Sequence, residues 1–240
     1  MERKIYCFWT GDNVISSIRM ANIKSLNVSG LEVCLVTNYN LHDYISSCDL
    51  HHAYYDLNLA HRADYLRAYF MHHFGGAYCD IKKLEHSWID IFEELEANPK
   101  LLAAGYREIG FGGVGNCYKN AVLLDKSRFE KAKSYLQYRF LQLNYKKLIG
   151  NGAFIFKPDT VITRAWWNEV NKRLDSVSDK LAKNPAKMPK EYMGSSYEGV
   201  VSEYPIPWSY LLGDILPPII LRNTDKVLKK LPPPSFLNYQ

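Results

Sequence analysis

The chain has 240 residues, 47% hydrophobic and 23% charged, with a mean hydropathy of -0.27. That length and composition suit one large folded domain and exclude a disordered, fibrous or collagen-like polypeptide, and no apolar run approaches the roughly 18 residues that a spanning helix needs. The net charge of +5 is unevenly placed: residues 126–147 carry seven basic side chains against one acid, Glu130, and Arg222, Lys226, Lys229 and Lys230 form a second cluster. Each cluster suits an anionic partner such as phosphate, lipid headgroups or nucleic acid, with a solvated helix face as the plain alternative.

Taken in chain order, the N-terminal half alternates strand and helix signals. Residues 4–9 read as a buried strand, entered without the apolar stretch of a signal peptide, and residues 10–13 as a turn. Residues 14–26 have helical spacing, with Asn13 or Asp12 available as N-cap. Residues 31–37 form a second strand and 52–55 a short third. A helix over 61–73 stops at Gly75-Gly76, where glycine takes a left-handed cap, and residues 77–81 form another strand. Later strands are expected at 101–106 and 152–157, and helices at 127–143 and 160–174, after which the pattern weakens into irregular sequence. Strands alternating with helices predict a single α/β domain over 1–240, with a mainly parallel central sheet and helices on both faces. The five cysteines are odd in number and scattered, which points to a reducing cytoplasm rather than a disulfide framework.

Residues 60–83 carry the chemistry. Asp64 and Arg67 lie three apart on one helix face, and Asp80 ends the following strand, where ligands bind in open α/β sheets. Two acids and an arginine on one rim suit hydroxyls, a diphosphate and a divalent cation. A surface ion pair with a turn-forming aspartate explains the same spacing. Two other features are decoys. Gly110-Phe111-Gly112-Gly113-Val114-Gly115 matches a dinucleotide fingerprint but lies mid-chain without its acid, and reads better as a flexible loop over the site. The pairs His51-His52 and His72-His73 lack metal-ligand spacing.

The pattern of arginine, Asp64, Arg67, an apolar helix, two glycines, Tyr78 and Asp80 resembles the DXD-containing sugar transferases, a family that includes capsular polysaccharide synthesis proteins and initiating α-1,6-mannosyltransferases. Residues 4–9 are similar to the family's opening strand, which contacts the nucleotide base and here supplies Phe8, Trp9 and the following Thr10. Residues 151–158, led by Asn151, and residues 204–214 (YPIPWSYLLGD), with Trp208 on the acceptor side, resemble later elements. The resemblance implies a GT-A fold, with about 1–118 as the nucleotide-sugar-binding half and about 119–240 as the acceptor-side and C-terminal region, and a retaining transfer from a nucleotide sugar, UDP-hexose favoured, to a glycan or lipid-linked glycan. The setting would be bacterial capsule, O-antigen or lipopolysaccharide assembly, cytoplasmic or peripheral at the inner face of the membrane. Asp64 would hold sugar or ribose hydroxyls, Arg67 the sugar or diphosphate, and Asp80 is the first acid of the DXD motif. The second acid is replaced by Lys82, which would neutralise diphosphate itself, or Asp214 would complete a site for Mn2+ or Mg2+. No catalytic base is assigned. Competing readings are an inactive sugar-nucleotide-binding relative and, from the residues at 135–147, a basic aromatic nucleic-acid-binding module. The transferase reading itself expects no nucleic-acid partner. An amphipathic helix with its aromatics packed inward explains residues 135–147 equally well.

Overall fold

A computed structural model describes residues 1–237. Its centre is a six-stranded mixed sheet in the order β2-β1-β3-β5-β4-β8, built from β1 (Lys4–Trp9), β2 (Glu32–Thr37), β3 (Gly76–Cys79), β4 (Ala103–Arg107), β5 (Ile149–Phe156) and β8 (Val227–Leu228). β1 pairs in parallel with both β2 and β3, and β4 with β8, whereas β5 runs antiparallel between β3 and β4. A separate hairpin joins β6 (Ser196–Tyr197) to β7 (Val200–Val201).

Strand alternation divides the core into two layers. Tyr6 and Phe8 of β1 and Phe154 and Phe156 of β5 face α2 (Leu59–His73), α6 (Val161–Lys183) and α7 (Leu216–Arg222). Ile5 and Cys7, with Ala153 and Ile155, face α1 (Ser17–Ser25) and α3 (Ile89–Ala97) on the opposite side. Helices therefore cover both faces, as the alternating pattern predicts, and three of the five strand pairings are parallel. Two further helices, α4 (Cys117–Leu123) and α5 (Arg128–Leu143), pack on one another.

Several boundaries differ from the sequence expectation for local reasons. α1 begins at Ser17, not at residue 14, because the Ser16 side chain accepts from Arg19 N. Neither Asn13 nor Asp12 caps it, and the Asn13 carbonyl instead accepts from Trp9 Nε1 at 2.9 Å. Residues 52–55 do not form a strand: the backbone closes into a 3-10 turn at Tyr54–Asp56, with the Tyr54 ring buried against Tyr65. β3 stops at Cys79 because the chain bends at Asp80, where Lys82 N donates to Asp80 O. α6 continues to Lys183, with Trp166, Val170, Leu174, Val177 and Leu181 buried along one stripe. No helix among the described residues is long and apolar enough to cross a membrane.

The α2–β3 connection aims the site. α2 ends at His73 with Phe74 as its C-cap, and Gly75 follows at φ +66°, where an added Cβ would lie 2.5 Å from Pro158 Cδ and 2.9 Å from Phe156 O. Gly75→Ala is expected to destabilise the protein by about 1–3 kcal/mol through left-handed strain and that clash, read as a lowered urea midpoint with an unchanged slope.

Candidate functional site

The carboxyl-terminal ends of β1, β3 and β4 open onto a cavity of about 1450 Å³, the position at which open α/β sheets bind ligands. Its floor is made by α2 and β3. Arg67 Nη1 donates to Asp64 Oδ1 at 2.6 Å, while Nη2 donates to Tyr78 OH at 2.6 Å and to Asp80 Oδ1 at 2.7 Å. Tyr78 OH also donates to Asp80 Oδ1 at 2.7 Å, and its ring lies 4.5 Å beneath the guanidinium carbon. Lys82 Nζ sits 3.0 Å from Asp80 Oδ2 and 4.8 Å from the centre of the Phe236 ring. The sequence-predicted residues Asp64, Arg67, Tyr78, Asp80 and Lys82 therefore form one connected group of charge-assisted hydrogen bonds.

Burial sets the electrostatics of this group. It raises the Asp64 carboxyl from its ordinary value to about 7; Arg67 pulls it down and Asp80 pushes it further up. Burial alone would lower the Arg67 guanidinium, but Tyr78, Asp80 and Asp64 together raise it. Arg67 Nε and Asn151 Oδ1 are enclosed without a hydrogen-bond partner.

At the end of β1, Phe8 and Trp9 diverge. Phe8 borders the cavity but is buried, stacked on Tyr78 at 5.3 Å with Phe70 edge-on at 5.1 Å. Trp9 is half-buried at the cavity wall with the Arg19 guanidinium 5.7 Å from its ring centre, and Thr10 follows, buried, on the same wall. Across the cavity, Trp208 is 49% exposed and meets Tyr192 edge-on at 5.7 Å. Asn151 lies between Gly150 and Gly152: a Cβ on Gly150 would fall 2.0 Å from the Tyr106 ring, and one on Gly152 would lie 3.0 Å from Asp80 Oδ2. These two glycines let β5 press against Tyr106 and Asp80.

Asp214 is buried away from the lining of the cavity. It accepts from Asn120 Nδ2 and from Ser209 OH, each at 2.8 Å, and Arg173 Nη1 lies 3.9 Å away. Asp80 has both oxygens engaged by cations or by Tyr78. Among the described residues no group of three or more His, Cys, Asp or Glu side chains is placed to hold a metal ion. This donor set does not fit Mn2+ or Mg2+, which favour several oxygen ligands.

Sequence reasoning missed a buried histidine. His61, at the start of α2, stacks on Tyr204 at 5.7 Å and bridges α2 to the segment carrying Trp208: its Nε2 meets the Trp208 carbonyl at 3.1 Å and its Nδ1 meets Tyr204 OH at 3.0 Å. Asn58 caps α2 through His61 N, contacts the His61 ring and donates to the Glu191 carbonyl. The Asn58 N-cap and an apolar run were readable; the partners, more than 130 residues away, were not. Also missed were Arg19, Lys119, Lys187 and Lys190. With Arg62, Arg67 and Lys82 they give the described lining seven cations against four acids, Asp12, Asp64, Asp80 and Glu108. The glycine-rich loop at 110–115 also lines the cavity, its Phe111 packed edge-on against Tyr145 at 5.2 Å.

No family model matches this chain, and no curated protein matches it.

Burial lowers the His61 ring to about 4, with the Trp208 and Pro207 carbonyls partly offsetting that shift. Its folded value lies below the ordinary 6.5, so its contribution to stability is complete above about pH 6.5 and is lost as pH falls toward 4. The expected outcome is a wild-type melting temperature that drops across this window, with a shallower drop in His61→Gln. Thermal melts from pH 4 to 8 check it.

Proposed function

We propose that this chain is a nucleotide-sugar glycosyltransferase of GT-A type that makes an α-linkage with retention. The observation that carries the reading is the Asp64–Arg67–Tyr78–Asp80–Lys82 group at the carboxyl end of β3, facing a cavity whose lining is rich in cations and walled by Trp9 and Trp208. A diphosphate carries the charge that the surplus of cations would attract. Trp9, more exposed than the buried Phe8 beside it, would stack on the donor base, and Thr10 would border it. Asp64 would accept from sugar or ribose hydroxyls. Trp208 and Asn151 would border a glycan or lipid-linked glycan acceptor in surface-polysaccharide assembly at the inner face of the membrane.

In this reading Arg67 and Lys82 stabilise the charge that develops as the nucleoside diphosphate departs, because fixed cations in a partly enclosed cleft need little reorganisation. A divalent ion at Asp80 would have to displace Lys82 and complete its shell from the donor diphosphate, and no step is routed through one. Lys82→Ala is expected to cut transfer about 100-fold or more while EDTA leaves the wild-type rate unchanged. Loss of activity in EDTA with recovery on Mn2+ would instead restore the metal.

A thermal-shift screen against UDP-, GDP- and CMP-sugars tests the donor class, since a ligand that binds only the folded state raises the melting temperature. Asp64→Asn should remain folded and lose that shift, and radiolabelled transfer should fall about 100-fold or more. A retained shift without turnover in the wild type would favour an inactive sugar-nucleotide-binding relative, a reading prompted by the complete engagement of both Asp80 oxygens.

A further inference from the structure

α5 presents a face that the fold leaves uncovered. At about 100° per residue, Phe129, Leu136, Phe140 and Leu143 fall within about 60° of one another on the helix. They are 79%, 67%, 59% and 79% exposed. Leu141, the buried residue of this helix, lies on the opposite side, where α5 packs on α4 and on the loop at Phe111–Gly113. The expectation that the aromatics of this stretch pack inward therefore fails for Phe129 and Phe140, whereas Tyr135, though 48% exposed, meets Tyr118 of α4 edge-on at 5.3 Å. The surroundings of the stripe are cationic: Lys126, Arg128, Lys133, Arg139, Lys146 and Lys147 are all exposed. Lys131 pairs with Asp125, and Glu130 is turned back into the capping box with Ser127. The C-terminal cluster differs, because Lys230 is paired with Glu94, Lys229 donates to the Thr224 and Val227 carbonyls, and Lys226 donates to Asn223.

We propose that α5 is an interfacial helix that lies in the headgroup layer of an anionic bilayer, with Phe129, Leu136, Phe140 and Leu143 toward the acyl chains. An apolar stripe selects a surface with hydrocarbon beneath it, and a rim of lysine and arginine selects one with negative charge; an anionic membrane supplies both. Nucleic acid satisfies the rim alone, and a second copy of this chain would bring the same positive rim against itself. The docking surface stands without the transferase reading. It adds a geometric consequence: Lys119, Asn120 and Leu123 of α4 line the cavity, so a bilayer under α5 would lie one helix away from it.

Co-sedimentation with vesicles of phosphatidylglycerol and phosphatidylcholine, against phosphatidylcholine alone, tests this without any activity assay. The wild type should bind the anionic vesicles and leave the neutral ones. Phe140→Asp combined with Leu143→Asp should lower partitioning about tenfold or more. Lys133→Glu with Arg139→Glu should weaken binding and its dependence on anionic lipid, which keeps the test open if the first variant fails to fold. Leu136→Trp should gain quenching by brominated lipid relative to the wild type. Equal partitioning of the wild type and both double variants would overturn the proposal. So would a dimer in sedimentation velocity that the Phe140/Leu143 variant abolishes, or salt-sensitive binding of single-stranded RNA without vesicle binding.

Discussion

One guanidinium organises the floor of the cavity. Arg67 reaches from α2 to both acids and to Tyr78 of β3, and it does so from a position that is largely desolvated. The two carboxylates it holds would repel one another without it. Deleting one partner of such a buried network is far costlier than the network's net contribution, because the remaining charges are stranded. Asp64 sits at the margin of this balance. Its folded value of about 7 exceeds the ordinary 3.8, so its stabilising contribution is complete below about pH 4 and fades as pH rises through about 7. At neutral pH the group is poised between two protonation states, a condition common where ligands bind.

The network depends on backbone features elsewhere. Gly75 turns α2 into β3 so that helix and strand meet at Arg67 and Tyr78. Gly150 and Gly152 let β5 close on Tyr106, whose hydroxyl accepts from Gly152 N at 3.3 Å. The far wall comes from chain more than a hundred residues later and is fastened to α2 by His61 and Asn58. Floor and wall thus share one helix, and the placement of Trp208 relative to Arg67 is governed by two polar residues in the first turn of α2 and at its cap.

Elements with strong local signals were legible in the sequence. β1, β2, α2 and α5 follow from apolar runs, helical spacing and caps such as Ser127 with Glu130. The cluster around Asp64, Arg67 and Asp80 follows from spacing of three on a helix and the strand-end rule. α3 was passed over although Trp88, Phe92 and Leu95 recur at helical spacing and are buried. α4 is too short to show periodicity. For α5 the boundaries were readable but the buried face was not, because periodicity defines an apolar stripe without saying what covers it. The engagement of Asp214 by Asn120, Ser209 and Arg173, and the partners of His61, depend on tertiary contacts that no local pattern encodes.

The edge pairing of β4 has a consequence for how the molecule assembles. Ala103 and Ala104 pair with Val227 and Leu228, partners separated by more than a hundred positions, while β1 waits for Ala77 and Tyr78 before its second ladder can form. Pairings of such long range carry a large loop-closure cost before any contact repays it, so the molecule should fold slowly for its size. During synthesis the β4 edge stays open until Val227 and Leu228 emerge. In that interval it is an unprotected strand edge, the kind of surface on which chains associate wrongly.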